Sequence, residues 1–141
     1  MKKQIIIILL SLVLFMTSLT FTAVYSDNHE LSGLTCLLLG WTEPEHGGIA
    51  WFANPIFFIS AFFLLFRLPK ISAVLSLIAV VLTFCYLSVD EMTINEAGYQ
   101  NPVTSYGIGH YLWIAVCISL FTGTLILLKP KKKSRQISNI V

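Results

Sequence analysis

The chain has 141 residues, of which 56% are hydrophobic and only 11% charged, with nine basic and seven acidic side chains for a formal net charge of +2. A domain this small exposes too much surface to keep that apolar content out of water, so the composition excludes an ordinary soluble globule and makes lipid the natural solvent. The length allows one integral membrane domain, residues 1–141.

A helix needs about 20 apolar residues to cross the hydrocarbon core. The first stretch that meets this is QIIIILLSLVLFMTSLTFTAVY, Gln4–Tyr25. It follows Lys2 and Lys3 and ends in small residues, as a signal peptide does, but its apolar region is long and lacks an A-x-A site. It therefore reads as a retained anchor; cleavage would leave three spans in an unchanged orientation.

The first connection, about 26–50, contains a second apolar patch, LSGLTCLLLGW, bounded by Gly33 and Gly40. It is too short to cross and is expected to lie in the interface or fold back on the bundle. Cys36 sits within it, preceded by Thr35, which rules out a lipid-attachment box. Cys36, Cys85 and Cys117 form no CxxC pair. They read as small buried hydrophobes, with a Cys36 bridge to another protein as the alternative.

The second span, about 51–68, is interrupted near its start by Asn54 and Pro55. If it begins near Trp51, Pro55 falls in the first turn, where a missing N–H costs little. Asn54 then caps the helix at headgroup depth, or serves function as a buried amide that must find a partner. The turn RLPK predicts an antiparallel hairpin with the third span, about 71–89. That span carries Ser72, Ser76, Ala79 and Thr83 as one small-residue stripe, and the fourth, about 109–128, offers Ser119 and Gly123. Both suit close helix packing in lipid. Between them, residues 90–108 are polar, and Gly98, Pro102, Gly107 and Gly109 argue against a long helix. A short hairpin or an ordered loop is expected there.

Charge sets the orientation. The basic residues fall at Lys2 and Lys3, at Arg67 and Lys70, and in the tail 129–141; the acids fall in the two other connections. The positive-inside rule then places both termini and the Arg67–Lys70 turn in the cytoplasm. Tyr25, Trp41, Trp51, Tyr86, Tyr99, Tyr106, Tyr111 and Trp113 gather at the outer ends of spans, where amphipathic rings meet headgroups. The expected fold is an all-α membrane protein: four transmembrane helices in an antiparallel bundle, both termini cytoplasmic, with two extracytoplasmic loops. The basic tail should attract anionic lipid, whereas nucleic-acid binding asks for more than a charge run beside a span.

No span carries an ionisable side chain at mid-depth, which speaks against a proton-coupled exporter or an intramembrane hydrolase. A thiol oxidoreductase needs paired cysteines, and haem between spans needs facing histidines. The polar constellation is external: Glu43, Glu45 and His46, with His29, Asp90, Glu91, Glu96 and His110 within possible reach. Its spacing matches no metal motif. No catalytic, cofactor or metal-ligating residue is assigned. The interaction candidates are Glu43, Glu45, His46, Trp51, Asn54, Asp90, Glu91 and His110. The expected function is non-enzymatic: contact with another membrane or envelope protein in an accessory, assembly or immunity-type role. The alternative is a carrier or channel component with a polar site near the outer face. The short basic N-terminus and the lack of an N-x-S/T sequon fit a bacterial inner membrane.

Overall fold

The computed structural model describes residues 2–43, 45–93 and 97–129, with the side chains of Glu45 and His46 excluded. Glu96 and the basic tail beyond Lys129 lie outside the described residues. Four helical segments are long and apolar enough to cross a membrane: Lys2–Thr20, Gly47–Leu65, Pro69–Ser88 and Ile108–Leu128. They contain α1 (Lys2–Thr20), α3 (Glu45–Trp51) running into α4 (Ala53–Leu65), α5 (Pro69–Cys85) and α6 (Ile108–Leu128). The bundle is assembled in the spatial order α1, α6, α5, α4, with α1 also touching α4.

The distribution of polarity is inverted relative to a protein in water. Ile6, Val13, Val74 and Ile126 are each about 60% exposed, while Ser11, Ser60, Ser72, Ser76, Thr83 and Thr124 are buried. Lipid tails are as apolar as leucine, so burying leucine gains little and small residues that let backbones approach take the interior. The stripe Ser72, Ser76, Ala79 and Thr83 accordingly faces inward without any exposure. Ser60 of α4 donates to the Ser72 carbonyl at 2.9 Å, which closes the α4–α5 hairpin. On the other side Ser11 and Ser119 share a hydrogen bond of 2.8 Å, and Gly123 lies against Ile7. Phe15 stacks on Phe57 with centroids 5.6 Å apart, at the centre of a core that includes Val116 and Leu120.

The hairpin turn follows from its residues. The amides of Arg67 and Leu68 bond back to the carbonyls of Leu64 and Phe63, with Arg67 in the left-handed region at φ 61°. This paired closure satisfies carbonyls that α4 leaves open. Pro69 then starts α5, where its missing N–H is harmless.

The all-α expectation is corrected at one end of the bundle. Here β1 (Thr22–Ser26), β2 (His29–Ser32), β3 (Glu91–Thr93) and β4 (Gln100–Tyr106) form a four-stranded antiparallel half-barrel in the order β2-β1-β4-β3. The first span accordingly stops at Thr20 rather than Tyr25, and the two connections are one structure rather than separate loops. Asp27 and Asn28 make the two-residue turn of the β1–β2 hairpin, which pairs Ser26 with His29. Pro102 is tolerated in an interior strand because of register. The Val103 amide bonds to Asp90 on the β3 side, so the Pro102 nitrogen faces the β1 side, where pairing has already ended at Ser26–Val103. Between β2 and the bundle lies α2 (Gly33–Leu39), capped by the Ser32 hydroxyl accepting from the Thr35 amide at 3.2 Å. The apolar patch thus folds back against α1 and the sheet, while Leu34, Leu38 and Leu39 keep an exposed face.

The sheet is fused to the bundle through close backbone contact. The Gly107 amide donates to the Ala23 carbonyl at 2.8 Å, and a methyl group at Gly107 would collide with the Thr22 carbonyl oxygen. Gly107→Ala should therefore destabilise the protein by about 1–3 kcal/mol, the range for overpacking. Gly123→Ala should cost less, because the flexible Ile7 side chain is what it meets first. Thermal unfolding in mild detergent checks this order; equal midpoints for wild type and Gly107→Ala would refute it.

Candidate functional site

The sheet end holds a second small core: Ala23, Val24 and Met92 are buried, with Cys36, Tyr86 and Tyr106 packed on them. The Tyr106 hydroxyl donates towards the carbonyls of Tyr86 and Val89, at 3.1 and 3.2 Å, tying β4 to the end of α5. Between this core and the helices lies a cavity of about 50 Å³. Its wall draws on nearly every layer, including Leu19, Val24, Cys36, Trp51, Asn54 and His110.

Asn54 organises this region. Pro55 has no N–H, so the Trp51 carbonyl one turn earlier lacks its helical donor. The Asn54 side-chain amide fills that role, donating to the Trp51 carbonyl at 3.0 Å. Its carbonyl oxygen accepts from the Trp113 indole at 2.8 Å, and the Trp51 indole donates to the Leu37 carbonyl at 2.8 Å. One buried amide thus repairs the helix break and links α3 and α4 to α6, while Trp51 extends the chain of bonds to α2. Asn54 is not the N-cap of α4, a position held by Phe52. It is buried within the junction, and the amide has found its partner inside the protein.

His110 stands one turn before Trp113 on α6. It is 2% exposed, and its ring is surrounded by Tyr106, Tyr86, Tyr111 and Trp113 at centroid distances of 4.8, 5.5, 5.8 and 5.9 Å. Its Nε2 has no hydrogen-bond partner. The external constellation expected from sequence is therefore divided, because His110 turns inward. Of the aromatic residues at this end, Trp41, Tyr99 and Tyr111 stay well exposed while Trp51, Tyr86, Tyr106 and Trp113 line the interior or its edge.

The acids serve the sheet. Glu43 accepts from the Thr93 amide at 3.1 and 3.2 Å and from the Thr93 hydroxyl at 3.1 Å, which covers that part of the β3 edge and ties the first connection to the second. Burial raises the Glu43 carboxyl above its ordinary range, and the Thr93 bonds oppose that shift. The Asp90 carbonyl accepts from Val103 at 2.8 Å, and Glu91 is exposed on β3. Glu45 and His46 belong to α3 by backbone, with their side chains outside the description. Among the described residues no group of three or more His, Cys, Asp or Glu side chains is placed to hold a metal. Cys36 is a free thiol pushed up to about 12 by burial, then by the Glu43 charge.

Sequence reasoning placed Trp51, Asn54 and His110 among the candidates but missed Trp113, Tyr86 and Cys36 as parts of the same cavity. The spacing of His110 and Trp113, three residues apart on one helix face, was a usable signal. No protein-family model, curated protein or solved structure matches this chain.

Two outcomes follow from this geometry. Asn54→Ala strands the Trp51 carbonyl and the Trp113 indole and should cost about 2–6 kcal/mol, from about 1–3 kcal/mol for each buried unpaired group. Pro55→Ala should be close to neutral. The double variant should recover about 1 kcal/mol of the Asn54→Ala loss, because an alanine N–H at position 55 can reach the Trp51 carbonyl. Unfolding of the four proteins in one detergent measures this; strict additivity would show that Asn54 does not substitute for the missing helical bond. The second outcome concerns Cys36. Its protonated, enclosed thiol should react with iodoacetamide at pH 8 at least about tenfold more slowly than in denaturing detergent, scored by mass spectrometry of the Cys36 peptide. Equal rates would mean an open, ionising thiol.

Proposed function

We propose that this is a multi-pass inner-membrane protein with both termini cytoplasmic, acting without catalysis through contacts between its extracytoplasmic cap and another membrane or envelope protein. The observation that carries this reading is the fusion of both connections into one half-barrel sheet on a bundle whose interior is packed with small and apolar side chains. A rigid cap presents recognition groups at low entropic cost, and the cap carries exposed His29, Glu30 and Glu91. Among the described residues β2 has pairing only on its β1 side, and such an edge accepts an added strand from a partner. The orientation rests on charge. The bundle's alternation brings Lys2, Lys3, Arg67, Lys70 and Lys129 to the end opposite the sheet, the cytoplasmic end by the positive-inside rule. An accessory, assembly or immunity-type role is compatible with this surface.

A second reading, a carrier or channel component, is favoured by the cavity that contains Asn54 and His110. Below it, however, Phe15, Phe57, Val116 and Leu120 fill the centre of the bundle. The cavity therefore suits holding a group better than passing one.

A photo-crosslinking amino acid at positions 30, 91 and 68, one variant at a time in living cells, tests the proposal. Positions 30 and 91 should give a discrete protein adduct and position 68 none, with a membrane-impermeant thiol reagent reaching cysteines at 30 and 91 alone. Glu30→Ala with Glu91→Ala should reduce the adduct from a crosslinker at position 29 by about fivefold without lowering protein level, since exposed substitutions cost little stability. Adducts confined to position 68, or external labelling of a cysteine there, would reverse the face or the topology.

A further inference from the structure

Most of the side-chain nitrogens and oxygens lining the cavity beside His110 are already paired. The indole of Trp51 is bonded to Leu37, that of Trp113 to Asn54, and the Asn54 amide to Trp51. The Ser18 hydroxyl is bonded to Phe15 at 2.7 Å. Against this background the Nε2 of His110, in a residue 2% exposed, is left without a partner. A buried nitrogen in such surroundings is rarely left open in a native protein, and a ring held between four aromatic neighbours cannot turn outward to find water without breaking those contacts.

His110 is part of the cavity lining, and the remaining wall defines what can enter beside it. Leu19, Ala23, Val24 and Leu37 make it apolar, and among the described residues no lysine or arginine lines it. The charge that acts on Cys36 is that of Glu43, an acid. A phosphate or carboxylate therefore meets neither a cation nor room, for about 50 Å³ admits only three or four groups the size of a water molecule. The cavity is partly open, so a larger body need not enter with its tip.

We propose that this cavity binds the tip of a neutral, lipid-soluble molecule bearing a single hydroxyl or carbonyl group, such as a long-chain alcohol or ketone, with His110 Nε2 as its hydrogen-bond partner and the Trp51 and Trp113 indoles beside it. A neutral imidazole presents its Nε2 either as acceptor to a hydroxyl or, in the other tautomer, as donor to a carbonyl, so the site selects a polar tip on an apolar body rather than one functional group. The binding site is separate from the protein-contact surface, since it lies beneath the sheet rather than on its edges.

The test uses full-length protein in lipid nanodiscs and a long-chain alcohol carrying a photoreactive diazirine near its hydroxyl, with adducts mapped by mass spectrometry. Labelling should concentrate on Leu19, Leu37 and Trp51. Excess dodecanol should compete at least fivefold more effectively than dodecane or dodecyl phosphate. His110→Phe, which keeps a ring but removes the nitrogen, should lower labelling at least fivefold, while His110→Gln, which restores a polar group at a similar reach, should retain most of it. Cys36→Phe narrows the cavity from α2 without touching His110 and should also abolish labelling, so the outcome does not depend on His110→Phe folding. Undiminished labelling in either phenylalanine variant, or equal competition by dodecane, overturns the proposal. So does a lack of cavity adducts at saturating probe, which would leave water as the partner of Nε2. Intact cap crosslinks in a variant that loses alcohol labelling would separate this site from the protein-contact reading.

Discussion

The side chain of Asn54 is the point on which the junction between bundle and sheet depends. A helix entering lipid cannot leave a carbonyl open, and Pro55 guarantees that the Trp51 carbonyl is open unless a side chain supplies the donor. Asn54 supplies it from inside the same turn and spends its other end on the Trp113 indole. Because Trp51 in turn holds the Leu37 carbonyl, a local repair becomes a connection across α2, α3, α4 and α6. The Trp51 and Trp113 rings that these bonds hold by their nitrogens are part of the cavity wall.

The helical part of the protein was largely legible from sequence. Four apolar runs, the RLPK hairpin and the Ser72–Thr83 stripe all appear with the packing roles their composition suggests. Hydropathy reports what a segment can dissolve in and not its period, which is why Thr22–Tyr25 merged with the first span. A stretch as short as TAVYS, directly after a long apolar run, reads equally well as the end of a helix or as a buried strand. The strands were also hidden by distance: β1 finds β4 about 80 residues later, and β3 has only three residues. The Asp27–Asn28 pair, a suitable two-residue turn, was the local clue that a hairpin begins there.

The site was legible in its membership more than in its arrangement. Asn54 stood out because an amide within an apolar run has to be explained, and His110 because it borders a span. What composition could not convey was that His110 faces inward. The same aromatic residues that mark a membrane boundary also make a shell around an imidazole, and only the register of α6 against Tyr86 and Tyr106 decides between those uses. Burial changes the meaning of a substitution there. Alanine at Glu91 tests recognition, whereas alanine at His110 also opens a hole among four rings.

The sheet has a further consequence for how the chain is made. Strand β1 follows α1 after a single residue, and β4 precedes α6 with only Gly107 between them, so the two inner strands are extensions of the first and last spans. The α4–α5 hairpin can close as soon as both of its helices are in the bilayer, because its contacts are local. The β1–β4 pairing waits for β4, and the α1–α6 seam waits for the helix that follows it. Until then α1 and the β1–β2 hairpin must persist without their main neighbours, with β1 offering an unpaired edge. Biogenesis is thus divided into an early local step and a late closure that joins the two ends of the sequence, and the final span acts as the latch that completes membrane and cap together.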